Sequence, residues 1–338
     1  MTEISMKTLP ATAILCLALA VGALPVHAAP GGGGEPSAAN LYEAKTLTLE
    51  GRSLYQEGKY DDALPLFQRS LAISEKNLGP YHPDVATSLI DLGDLYRARG
   101  DFADAEPLFK RALDIREKAL GPDDPAVGEN LNSLGLLYKM QARYDKAEPY
   151  YKRALEIVEQ SLGATHPHVS IGLNNLANLY YSQGRYDLAE PLHKRSLTIR
   201  EEALGPDHPR VATSLNNLAN LYATQKKFAE AEPLYKRALE ITERSLGPED
   251  PKVADSLNSL ARVYFVQKKY ADAEPLLQKA LEIREHAFGP EHPVVGQSLG
   301  SLAVVYFLEG KYDAADPLIK RAKAIKAKYA PKKALDVK

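Results

Sequence analysis

The chain has 338 residues, and its 42 Lys and Arg against 44 Asp and Glu give a formal net charge of -2 at pH 7. That balance supplies no basic field for a polyphosphate backbone, which argues against general nucleic-acid binding. A single cysteine, Cys16, rules out an internal disulfide framework.

In chain order, Lys7 gives a short positive start, residues 11–24 form an apolar run, and Val26-His27-Ala28 closes it with an A-x-A-like site. This is the pattern of a secretory signal peptide, too short to span a bilayer permanently. Cleavage is expected after Ala28, giving an exported, periplasmic or secreted chain without Cys16 and without an integral membrane segment. Residues 29–39, with Gly31 to Gly34 in a row, read as a flexible Gly/Pro linker. Gly51 and Gly58 stand one period before Gly93 and Gly100, so residues 40–57 read as the first helix of a degenerate opening unit.

Downstream the sequence repeats. Tyr60, Phe102, Tyr144, Tyr186, Phe228, Tyr270 and Tyr312 recur every 42 residues without insertion or deletion. A fixed period of that size marks units that bury their apolar faces only by stacking on one another. Residues 209–247 show the anatomy. Leu215, Leu218, Ala219, Leu221 and Tyr222 make the buried stripe of a first helix, A. Phe228, Ala231, Leu234, Tyr235, Ala238, Leu239, Ile241 and Leu246 make that of a longer second helix, B. Gly247 is expected to close helix B in the left-handed conformation, and Pro251 to open the next unit. Pro233 and its equivalents at 65, 107, 149, 191, 275 and 317 lie past the first turn, where a slightly opened helix start, not a break, is expected. In the last unit Lys323, Lys326 and Lys328 replace apolar positions, as an end cap facing water should.

The order Leu-Gly/Ala-x-x-Tyr, then Ala, an aromatic and Ala resembles the tetratricopeptide repeat signature, with Leu at 89, 131, 173, 215, 257 and 299 where that signature carries Trp. LNNLANLY at residues 173–180 and 215–222 looks like the repeats of the kinesin light chain family. The likeness covers roughly residues 60–325 and includes no motor-binding segment. It implies an all-α, right-handed superhelical solenoid of stacked antiparallel helix pairs, about seven of them over residues 40–329, followed by a basic tail at 330–338. It also implies a non-catalytic scaffold that holds a protein or extended peptide on its concave face, with a monomer favoured and an oligomer possible. The alternative is a structural repeat protein that self-associates through its ends or convex face.

In such a fold helix A lines the concave face, which makes its exposed positions the candidate site. Asn132, Asn174, Asn216 and Asn258 form one ladder, with Asn175 and Asn217 beside it. An Asn amide can pair with a peptide group irrespective of side chains. Because the residue recurs, the same ladder could equally bond helix A to its neighbour. Positions that differ between units are the stronger candidates for ligand contact: Asn178, Asn220, Arg262, Arg97, Lys139 and Tyr181. Arg97 and Lys139 toward one end, with Phe265 and Phe307 toward the other, suit a ligand with an acidic part and an apolar part. His82, His166, His208 and His292 sit one period or more apart, roughly 10 Å per helix, too far to share a metal. Asp124 and Asp250 fill the same slot, so the shared role is N-capping. His193 reads as a packing residue at the core margin. The motifs of nucleophilic, metal and phosphate chemistry do not occur, and no cofactor is expected.

Overall fold

The computed structural model describes residues 37–329. The segments expected to be a signal peptide, a linker (as far as residue 36) and a basic tail lie outside the described residues. Among the described residues fourteen α-helices follow one another: α1 Ala38–Gln56, α2 Tyr60–Leu78, α3 Pro83–Arg99, α4 Phe102–Leu120, α5 Pro125–Met140, α6 Tyr144–Leu162 and α7 Val169–Ser182, then α8 Tyr186–Leu204, α9 Pro209–Thr224, α10 Phe228–Leu246, α11 Pro251–Val266, α12 Tyr270–Phe288, α13 Pro293–Leu308 and α14 Tyr312–Lys328. Each odd helix pairs with the even helix after it, and each even helix then packs on the next odd one, giving seven pairs in a stack. The opening helix begins at Ala38, two residues before the expected start, because alanine is the best helix former and Ala38 and Ala39 continue the turn.

The core follows the period. Val127, Leu131, Leu134 and Leu137 on α5 and their equivalents are fully or almost fully buried. Each such side chain contributes roughly 2 kcal/mol of transfer free energy. The small residue on α1, α3 and α5 lets the facing aromatic approach: a β-carbon on Gly135 would stand 2.7 Å from the Tyr151 ring. The even helices run unbroken through Pro65, Pro107, Pro149, Pro191, Pro233, Pro275 and Pro317.

Helix ends need their free backbone groups satisfied. His82, Asp124, His208, Asp250 and His292 cap the odd helices by accepting from the N–H two residues on. His166 makes the same bond, to the N–H of His168 at 3.3 Å, but α7 proper starts only at Val169, after a tight turn. Gly247 departs from expectation in a different way. Its φ is positive, 88°, but its ψ is 154°, so the chain leaves the helix extended instead of left-handed. Only glycine occupies that region readily.

Two polar ladders repeat along the stack. On the even helices Arg111, Arg153, Arg195 and Arg237 each pair with the carboxylate 36 residues earlier, Glu75, Glu117, Glu159 and Glu201, at 2.5 to 2.6 Å. A second nitrogen of each donates to the carbonyl of Pro80, Pro122, Ala164 or Pro206 in the intervening linker, at 2.8 to 3.1 Å. Between the odd and even helices Tyr138, Tyr180, Tyr222 and Tyr264 donate to Glu106, Glu148, Glu190 and Glu232 of the preceding pair, at 2.8 to 3.1 Å. At the junctions named, each of these positions does the same job. The last helix exposes Lys323 where inner pairs carry Leu239 or Leu281, and Lys326 and Lys328 are exposed beside it.

Candidate functional site

Odd helices touch each other directly along α1–α3, α3–α5, α5–α7 and α7–α9, whereas neighbouring even helices make no comparable approach. The stack therefore curves with the odd helices inside, and their outward positions form a continuous groove. Its middle is closed by its own side chains. Asn175 Nδ2 donates to Asn132 Oδ1 at 3.2 Å, and Asn217 Nδ2 donates to Asn174 Oδ1 at 3.3 Å. At these junctions the Asn side chains bond one odd helix to the next. His193, expected at the core margin, is instead 1% exposed. Its Nδ1 lies 3.0 Å from Asn174 Oδ1, and since that oxygen only accepts, His193 donates. Burial, with Arg200 and Lys139 nearby, pushes its pKa down to about 4, so the ring is neutral.

Toward the N-terminal side lie the two expected cations, one of them neutralised. Arg97 is held by Asp94 Oδ1 at 2.8 Å. Lys139, half-buried, has no acidic group paired with it among the described residues, and burial alone lowers its pKa. Asn178 is half-buried, its main-chain carbonyl accepts from Ser182 Oγ at 2.8 Å, and its side-chain amide makes no hydrogen bond among the described residues. Tyr181 spans to the next pair, its hydroxyl 2.7 Å from Thr224 Oγ1.

Toward the C-terminal side the same register gives a different result. Asn220 Oδ1 accepts from the hydroxyl of the core Tyr235 at 2.6 Å and from Arg262 Nη2 at 2.8 Å, which ties two of the expected contact positions together. Asn258 turns back to its own helix, donating to the Ala254 carbonyl at 2.8 Å. The buried Oδ1 of Asn216 has no hydrogen-bond partner among the described residues. Beyond it a cleft of about 530 Å³ opens between α11 and α13, rimmed by Arg262, Asn258, Gln297 and Ser301, walled by Phe265 and Val304 and floored by Leu277. Leu277 occupies the place of Tyr151 and Tyr235, and Gly300 that of the ladder asparagines, with nothing within 4 Å of a β-carbon built on it. Sequence reasoning passed over Leu277, Gly300 and Ser259. Their signal was available as departures from the repeat consensus. Farther on, Phe307 is 55% exposed and Val304 49%, so the apolar end expected from Phe265 and Phe307 is open surface at Phe307.

A family model described as "Tetratricopeptide repeat" matches residues 42–118, 93–160, 127–197, 168–244, 212–285 and 252–328. Among solved structures, BtubC (BKLC) from P. vanneervenii is 28% identical at a TM-score of 0.59, over 70% of this chain and 95% of its own. A putative kinesin light chain from Podosopora anserina with nearly identical TPR-like repeats is 25% identical at a TM-score of 0.55, over 62% of this chain and 99% of its own. A signal transduction ATPase with a tetratricopeptide repeat sensor, from Pyrococcus horikoshii, shares the fold at 17% identity and a TM-score of 0.63, over 85% of this chain and 42% of its own. No curated protein matches the sequence.

Proposed function

Because the chain belongs to the tetratricopeptide repeat family, whose model matches it from residue 42 to residue 328, we propose that it is a non-catalytic scaffold holding a protein or an extended peptide along the groove of its odd-numbered helices. One observation carries the reading. The Arg–Glu and Tyr–Glu positions that recur along the stack are used up in bonds between pairs, whereas positions that vary along the groove include groups with no such use, above all the half-buried ammonium of Lys139. A desolvated cation with no carboxylate beside it is costly unless a ligand supplies one. The test is photo-crosslinking with peptides selected on the full chain from a displayed library of random dodecapeptides. Labels should fall on odd helices; labels confined to even helices would sink the reading.

Self-association through the ends has the exposed Val304, Phe307 and Leu308 in its favour, but Lys323 stands where a further pair would need an apolar contact. A monomer in light scattering removes that alternative. We also propose export, on the signal-peptide pattern of residues 1–28. The mature intact mass should then begin at or near Ala29, and a soluble cytoplasmic product retaining Met1 would contradict it.

A further inference from the structure

At two successive junctions the groove is bridged by an asparagine amide: Asn175 donates to Asn132, and Asn217 to Asn174. The next junction has the acceptor, Asn216, but Ser259 replaces the donor. The Ser259 hydroxyl is too short to cross and bonds the Asp255 carbonyl of its own helix at 2.9 Å. Asn216 Oδ1 is left buried without a partner among the described residues. An unmet buried acceptor is costly, and a donor from outside removes that cost. The space is present. Clefts of about 420 Å³ and about 530 Å³ lie on either side of Ser259, the first reaching Asn216 and the second Leu277. The direct approach between odd helices also thins at α9–α11 and α11–α13.

We propose that this junction, between the fifth and sixth helix pairs, sets the register of the bound segment: an extended peptide gives one main-chain N–H to Asn216 and lays a bulky apolar side chain over Leu277 against Phe265. The chemistry follows from the closed junctions. What fills the position there is an amide N–H, and a peptide main chain offers that group at every non-proline residue. The apolar floor beside it fixes which residue of the peptide stops there, by burial of its side chain. The proposal rests on the groove reading above and narrows it to one stretch.

Anisotropy titrations of the full chain with labelled peptides from the dodecapeptide selection test it. Ser259→Asn restores the missing bridge and should raise the melting temperature while weakening the peptides by about tenfold or more, the effect of one lost hydrogen bond with its contacts. Asn216→Leu removes the acceptor without leaving a polar group unmet, so it should keep the fold and weaken the same peptides. Leu277→Tyr, which copies Tyr235, should fill the floor and do likewise. Unchanged affinity in all three, with loss on Asn178→Ala or Lys139→Ala, overturns the proposal and leaves the groove reading standing. Unchanged affinity in every one of these variants, or a selection that yields no binder, overturns both.

Discussion

The junction between the fourth and fifth helix pairs and the one after it use equivalent helices in the same register, 42 residues apart, yet only the first carries an Asn bridge inside and an Arg fork outside, the second being tied inside by Arg262 to Asn220 alone. Inside, Asn217 bridges to Asn174, whereas Ser259 leaves Asn216 alone. Outside, Arg237 holds both Glu201 and the Pro206 carbonyl, whereas Lys279 holds Glu243 at 2.9 Å and makes no second bond to the linker among the described residues. A repeat array is a chain of nearest-neighbour interfaces. Local looseness can then be placed at one junction without weakening the rest, and a groove opens where the intramolecular partners are withdrawn.

The sharpest break in the comparison should come with acid. His193 sits in the locked stretch, and its pKa falls from 6.5 to about 4 on folding. The unfolded chain therefore binds more protons between those values, and stability falls as pH drops through that window, by on the order of 3 kcal/mol at its lower end. His193→Tyr, which copies Tyr235 opposite Ala219, should abolish that part of the loss in denaturant midpoints measured from pH 7 to 4. Glu106, Glu190 and Glu232, held below their usual range mainly by Lys110, Lys194 and Lys236, lose their contribution only at lower pH. A variant as acid-sensitive as the parent would show that His193 is not the group responsible.

Next in size is a paired truncation. Asn174→Ala orphans the buried His193 N–H and the Asn217 amide, so about 2 kcal/mol of stability should go. Asn258→Ala removes only a bond to its own helix and should change stability by less than about 0.5 kcal/mol. Equal losses at the two sites, in thermal melts without ligand, would erase the distinction between the locked and open stretches.

Much of this was legible in the sequence, and the limits are physical. A period without insertions places every helix, because the stripe of Leu215, Leu218 and Tyr222 can be buried in one way only. Capping by His208 and Asp250 was readable because a capping bond spans two residues. The Arg237–Glu201 and Asn217–Asn174 bonds span 36 and 43 residues, and the pattern shows that such residues recur without showing which meets which. Gly247 was expected beyond a helix end, but its ψ depends on where the next pair must start. His193 was misplaced because a histidine in an aromatic slot looks marginal until its partner, Asn174, is seen beneath it.

The smallest effect probes the outer face of the open junction. Lys279→Arg should recreate the fork seen at Arg237, one nitrogen on Glu243 and another on the Pro248 carbonyl, which a single ammonium cannot reach together. The site is half-exposed, so the gain should be about 0.5 to 1 kcal/mol, read as a raised denaturant midpoint at constant slope. The even helices would be tightened while Asn216 and Ser259 stay untouched on the other side of the stack. If the groove is open because its own bridge is missing, selected peptides should bind the variant as they bind the parent. A large loss of affinity would instead mean that the outer clamp sets the spacing of α9 and α11, and that Lys279, not Ser259, keeps the groove open.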